Sequence, residues 1–218
     1  MKPTLIYCYD AYCGWCYGFS PVIRQIDAEF KNRVDIEVLS GGMVLPEKPV
    51  HISATAAYIA SAYQRVEELA GVKFGKDYLW HINNPDDSDW YPNSEKPAIA
   101  LCIFKEYFPE RAVDIATDLQ YALYQEGRDL TDDQAYLHLV EKYSIQAEIF
   151  FQKLNSDEYK EAAYYEFALV KQLQVSGYPC VFVQTSELKF HLVARGFTPY
   201  EELRLRLENL LAGMEENL

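Results

Sequence analysis

Two cysteines held two residues apart, Cys13-Gly14-Trp15-Cys16, stand where the apolar pattern of the chain changes period, and that junction constrains the fold more than any other stretch. Before it, Leu5-Ile6-Tyr7-Cys8-Tyr9 is an aliphatic and aromatic run of strand length. After it, Tyr17, Val22, Ile23, Ile26 and Phe30 recur at helical spacing. The pair therefore belongs on a strand-to-helix turn. There Cys13 meets the free N–H groups and the positive dipole end of the helix, which favour a thiolate, and Cys16 falls inside the first turn. A dithiol so placed can attack a disulfide through Cys13 and release the mixed disulfide through Cys16.

Further along, Val34 to Leu39 reads as a second strand ended by Gly41-Gly42, and a crossover helix should lay it parallel to the first. Strand signals then vanish for a long stretch. Ile52 to Leu69 carries an apolar stripe and stops at Gly71, which predicts a helix. The turn formers between Asn83 and Ser94 predict a surface loop. Helices are expected at 97–107 and 110–126, the second closed by Gly127. Thr131-Asp132-Asp133-Gln134 reads as a capping box opening a helix through Tyr143, and Ser156 as the cap of another carrying Tyr159, Ala162, Ala163, Phe167 and Val170. Strands return at Pro179 to Gln184 and Phe190 to Ala194, a hairpin about Thr185-Ser186-Glu187. Thr198-Pro199-Tyr200-Glu201 then opens a terminal helix through Leu203, Leu207, Leu210 and Leu211. The order is β-α-β, a helical insertion, then β-β-α.

With 218 residues, half of them hydrophobic, the chain can bury a sizeable core. Its 20 Lys and Arg against 33 Asp and Glu give a net charge of -13, which argues against nucleic acid or an anionic membrane as partner. The N-terminal stretch lacks the apolar region of a secretory signal, and no later stretch looks long and uncharged enough to span a bilayer, so a cytoplasmic location is expected. Five cysteines without repeated spacing do not suit a disulfide scaffold, and Cys8 and Cys102 read as small buried hydrophobes. His51, His81, His138 and His191 form no metal-site spacing with the CxxC, so no metal is expected.

The β-α-β plus β-β-α order with CxxC opening the first helix resembles the thioredoxin fold, and the helical insertion resembles the DsbA-like family. The likeness covers nearly the whole chain. It implies an α/β protein with residues 1–43 as the first half of the thioredoxin domain, 44–173 as a helical insertion domain and 174–218 as the second half. Pro21, five residues beyond Cys16, stands where such proteins carry a kinking proline, and by its chemistry it should break an i to i−4 bond. Tyr178-Pro179 stands where the fold places a cis-proline facing the dithiol. A proline opening an apolar strand also lacks an N–H and leaves an edge on which an extended substrate segment can dock. Tyr124 to Leu130 resembles the end of an insertion helix in the FrnE-like subgroup of predicted disulfide oxidoreductases and in the related 2-hydroxychromene-2-carboxylate isomerases. The resemblance implies that Cys13 is the nucleophile, Cys16 the resolving thiol, and Tyr178 and Pro179 the substrate-positioning turn. Trp15, with Tyr12, adds aromatic surface beside the attacking sulfur, whereas Tyr17 and Phe19 read as core.

Two departures stand out. Relatives often carry an acid six residues before the first cysteine, beneath the second; here that position is Tyr7, whose phenol is a poor base at neutral pH. The Cys16 proton would then leave through water, through Asp10, or directly to the departing thiolate, although an aspartate ending a strand is first a turn former. Cys180, next to Pro179, is an inert core thiol or a third redox thiol, according to which way strand alternation points it. The expected activity is thiol–disulfide exchange on protein or small-molecule disulfides, with no cofactor beyond the dithiol itself and glutathione as candidate reductant. A reducing glutathione pool favours the reductase or isomerase direction. Two alternatives share the sequence: isomerase or kappa-class glutathione transferase chemistry, against which the intact CxxC counts because those relatives use serine or a single polar residue at the first position, and a binding module that does not cycle.

Overall fold

A mixed sheet in the order β2-β1-β3-β4 sets the layout of the computed structural model, which describes residues 2–215. Its strands are β1 (Thr4–Tyr9), β2 (Asp35–Ser40), β3 (Cys180–Ser186) and β4 (Lys189–Arg195). β1 and β2 are parallel, joined by helix α1 (Gly14–Phe30), while β3 runs antiparallel to both β1 and β4. The predicted β-α-β and β-β-α halves thus meet along β1 and β3, the two central strands. Alternation divides their side chains between two faces. Leu5, Tyr7, Tyr9, Val181 and Val183 join the main core, whereas Ile6, Cys8, Leu39 and Cys180 pack with Val170 on the other side.

Between β2 and β3 lie α2 (Ser53–Ala70), α3 (Lys76–Asn83), α4 (Glu95–Tyr107), α5 (Ala112–Tyr124), α6 (Leu137–Lys142), α7 (Ala147–Leu154) and α8 (Asp157–Gln172), and α9 (Tyr200–Glu215) follows β4. Helices α4 and α5 are the most enclosed: Ala100, Leu101, Ile103, Phe104, Ile115, Leu119, Ala122 and Leu123 are fully buried, as helices apolar on more than one face require. Val170 and Glu166 bring α8 onto β2. No helix among the described residues is long and apolar enough to cross a membrane.

Several expected boundaries shift for local reasons. Pro21 lies inside α1, and the Tyr17 carbonyl left without its N–H partner accepts the Ser20 hydroxyl at 2.8 Å, so the helix continues. The expected helix at 110–126 begins as a 3₁₀ turn, Pro109–Arg111, before α5. The capping box at Thr131 does not form. Asp132 is the cap, accepting the Gln134 N–H at 2.9 Å and opening a 3₁₀ turn, Asp133–Tyr136, ahead of α6. Ser156 does precede α8, but its hydroxyl donates back to the Lys153 carbonyl at 2.9 Å and caps nothing. Helices α3 and α7, eight residues each, escape the sequence reading because two turns are too short to show a stripe.

The edge strand β2 is closed by an ion pair. Glu166 accepts the Ser40 N–H at 2.8 Å and pairs closely with Lys105, whose ammonium donates to the Val38 carbonyl at 2.7 Å. Backbone groups that would otherwise template another strand are thereby satisfied. Glu166→Gln keeps an acceptor for Ser40 but removes the charge facing Lys105, and should cost about 1–2 kcal/mol. Urea melts would read this as a lowered midpoint at constant slope; an unchanged midpoint would show that the charge contributes nothing beyond shape.

Candidate active site

β1 delivers the chain to a tight turn at Asp10, where the Cys13 N–H donates to the Asp10 carbonyl at 3.1 Å and the Tyr12 N–H to its carboxylate at 2.9 Å. Cys13 occupies the cap position of α1 with extended backbone. Its sulfur does what a capping oxygen does, accepting the Cys16 N–H at 3.3 Å. The same Sγ lies 3.6 Å from the Tyr178 carbonyl, to which the thiol donates. The Tyr178–Pro179 peptide bond is cis, as expected from the sequence. That turn is pinned at both ends, by the Tyr178 hydroxyl donating to the Gly41 carbonyl at 2.9 Å and by the Gly196 N–H donating to the Pro179 carbonyl at 2.8 Å. Gly41 is needed there for room, since a Cβ would stand 2.2 Å from the Tyr178 ring.

Cys16 lies behind Cys13 with no solvent exposure, and Cys13 itself is only 6% exposed. Burial holds the Cys16 thiol well above its usual range, the neighbouring Cys13 adds to this, and the Asp10 N–H opposes it. Tyr7 packs beneath. Its hydroxyl is buried without an oxygen or nitrogen partner, beside the Cys16 sulfur, and burial first and that sulfur second keep the phenol protonated. The position where relatives carry an acid therefore holds a proton donor.

Asp10 is a turn former and also a brace. Its carboxylate, 1% exposed, accepts from Tyr12 N, from Met43 N at 2.7 Å and from the Ser94 hydroxyl at 2.8 Å, tying the turn to the segment after β2 and to the start of α4. Gln120 on α5 completes the frame by donating to the Asp10 and Cys13 carbonyls at 3.1 and 3.4 Å. Burial pushes the Asp10 carboxyl up, against the pull of those N–H and O–H donors. The folded protein thus binds this proton more tightly than the unfolded chain does. The stability tied to Asp10 is full at acid pH and declines as pH rises from the unfolded carboxyl's range through the raised native value. Asp10→Asn turns an amide N–H₂ onto a backbone donor and should cost about 1–3 kcal/mol. The gap between wild type and variant should narrow in urea melts as pH rises from the ordinary carboxyl range; a gap that widens would contradict this account.

Cys180 does not join the dithiol. It is paired in register with Cys8 on the opposite sheet face from Tyr7, and burial pushes the two thiols up to about 11 and about 12. Trp15 is half-buried at the mouth of the site, its ring 6.3 Å from that of Phe197, while Tyr17 and Phe19 are core. Beside Cys13 opens a cavity of about 160 Å³ whose far wall comes from α2, α3 and α5. Sequence reading missed Gln120, Ser94 and these wall residues. Gln120 was visible only as one polar residue among several on the helix expected at 110–126, Tyr63, Phe74 and Tyr78 only as aromatics among many, and Tyr124 only as the start of the stretch that carries the family resemblance.

Among solved structures the chain is similar to a candidate protein disulfide isomerase from Nitrosomonas europaea, at 25% identity over 98% of this chain and 99% of that one, with a TM-score of 0.86. It is also similar in fold to the cytosolic disulfide reductase DsbM from Pseudomonas aeruginosa, at 24% identity over 96% and 98% of the two chains and a TM-score of 0.74. That reductase has also been solved with glutathione, and this state matches with a TM-score of 0.72. No curated protein matches the chain. The profile of the DSBA-like thioredoxin domain matches residues 4–208, which is nearly the whole length, and the chain belongs to that family of DsbA-like thiol–disulfide oxidoreductases.

Proposed function

We propose that this chain reduces or isomerises disulfides, with Cys13 as nucleophile, Cys16 as resolving thiol and the Tyr178-Pro179 turn as the substrate's docking edge. One observation carries the reading: the Cys13 sulfur sits between the first N–H groups of α1 and the Tyr178 carbonyl, with Cys16 directly behind it. The Cys13 thiolate attacks a substrate R–S–S–R′, forming Cys13–S–S–R and releasing R′–S⁻. The Cys16 thiol then attacks the Cys13 sulfur, closing the intramolecular disulfide, while the departing R–S⁻ takes up the Cys16 proton and leaves as R–SH. Two electrons pass from the dithiol to the substrate. Two glutathione thiols restore the dithiol and leave as glutathione disulfide.

Protonation of Cys16 separates the two steps. Because burial favours its thiol and Tyr7 offers no base, the proton leaves with the departing thiolate rather than ahead of it. A mixed disulfide awaiting that coupled step can exchange with a second substrate thiol, which is what isomerisation needs. The likeness to a cytosolic disulfide reductase, and to its state with glutathione, supports the reducing direction and a reducing, cytoplasmic setting. Thiol counting across a glutathione redox titration tests the proposal: one reversible intramolecular disulfide between Cys13 and Cys16 is expected, with reduction of insulin by the reduced form. A pair that never oxidises at any glutathione ratio overturns it.

A further inference from the structure

Resting on that reading, we propose that the site is selective for disulfides in which the sulfur joined to Cys13 carries an apolar group of aromatic size. The cavity beside the dithiol, about 160 Å³, has Cys13 and Gly14 in its wall and no charged side chain anywhere in its lining. Its far side is a rigid aromatic cluster. Phe74, Tyr78 and Tyr124 are buried and meet at ring separations of 5.0 to 5.7 Å, and Tyr17 stacks on Tyr124 at 5.1 Å. Such walls keep the space open and offer water few hydrogen bonds, so an apolar group displaces little that is well held.

Position converts this into specificity. When a mixed disulfide forms on Cys13, the transferred group starts at the cavity wall, so its burial is gained in forming the intermediate and raises the rate of that step. Glutathione gains nothing from it: its two carboxylates and ammonium would each be desolvated there, and the chain's net charge of -13 opposes an anion. The reductant and the substrate are thereby told apart, glutathione reaching the sulfur from outside and the apolar group seated within.

The Cys16→Ser protein, which holds the intermediate on Cys13, tests this by stopped mass analysis with three symmetrical alkyl disulfides. The probes are bis(2-phenylethyl) disulfide, bis(2-hydroxyethyl) disulfide and glutathione disulfide, and each rate is divided by that of free 2-mercaptoethanol with the same probe. The normalised rate for the phenylethyl compound should exceed the other two by roughly tenfold or more, as a filled apolar pocket provides. Ala62→Phe, which fills the cavity from α2, should bring the ratio to about one. As a readout free of redox chemistry, 2-phenylethanol should slow iodoacetamide labelling of Cys13 saturably in the wild-type protein, which decides the matter if Ala62→Phe fails to fold. Equal normalised rates, or a lack of protection by 2-phenylethanol, overturn the inference and leave the redox reading standing. If none of the three disulfides modifies Cys13, the redox reading falls and this inference with it.

Discussion

Cys16→Ser should accumulate mixed disulfides on Cys13, and Cys13→Ser should fall to the uncatalysed rate of insulin reduction, a loss on the order of 10³-fold or more. The asymmetry follows from placement. Cys13 is the sulfur at the mouth, touching the Tyr178 carbonyl and the helix N-terminus, whereas Cys16 is sealed behind it. An incoming disulfide therefore meets Cys13 first, and without it Cys16 has neither access nor the helix-cap position. Without Cys16, the first exchange still proceeds but nothing displaces the bound group except a second thiol from solution. Peptide mapping after incubation with glutathione disulfide should find the adduct on Cys13 in stoichiometric yield. An adduct on Cys180 or Cys8 instead would sink the assignment, since both lie on the other face of the sheet.

How far the chain could be read in advance depends on the range of the signal. The strand-to-helix turn at Cys13 and the split sheet were legible because each is announced by a change of period or a Gly or Pro within a few residues, whereas the cis form of Tyr178-Pro179 was expected from the family resemblance alone. The Tyr7 substitution was legible too, as a phenol where an acid is usual, but not that its hydroxyl would lie buried against Cys16. What stayed hidden is tertiary. Gln120 reaches the turn from α5, Ser94 reaches Asp10 from the start of α4, and the cavity wall is assembled from α2, α3 and α5. Nothing near Cys13 in sequence announces them. The side chosen by Cys180 was undecidable from alternation alone, because register against β1 sets it, and register is fixed by Val181 and Val183 entering the core beside Tyr7 and Leu5.

The largest stability effect outside the dithiol is expected from Gly75→Ala. Gly75 has φ -71° and ψ 150°, which any residue can adopt, so its backbone is not the reason for glycine. Space is. A Cβ there would stand 1.9 Å from the carbonyl oxygen of Gln125 and 2.7 Å from its carbon. Neither side can retreat cheaply. Gly75 donates its N–H to the Tyr124 carbonyl at 2.8 Å and accepts the Leu79 N–H at 3.0 Å as α3 begins. The opposing backbone is fixed by the closing turn of α5, where Gln125 N bonds to Tyr121 O, Gly127 N to Leu123 O and Arg128 N to Ala122 O. Relief requires α3 to lift from α5, which also pulls Phe74 and Tyr78 away from Tyr124 and opens the aromatic wall. The cost should be about 3 kcal/mol or more, a fall in melting temperature of roughly 6–12 °C for a chain of this length. Gly177→Ala supplies the contrast: an added Cβ meets nothing within 4 Å there, and the melting temperature should stay within roughly 2 °C of wild type. Calorimetry on the two variants reads the difference directly. Equal shifts would mean that the approach of α3 to α5 is not what requires glycine, whereas a large shift at Gly75 alone, with loss of 2-phenylethanol protection at Cys13, would tie this single close contact to the shape of the site.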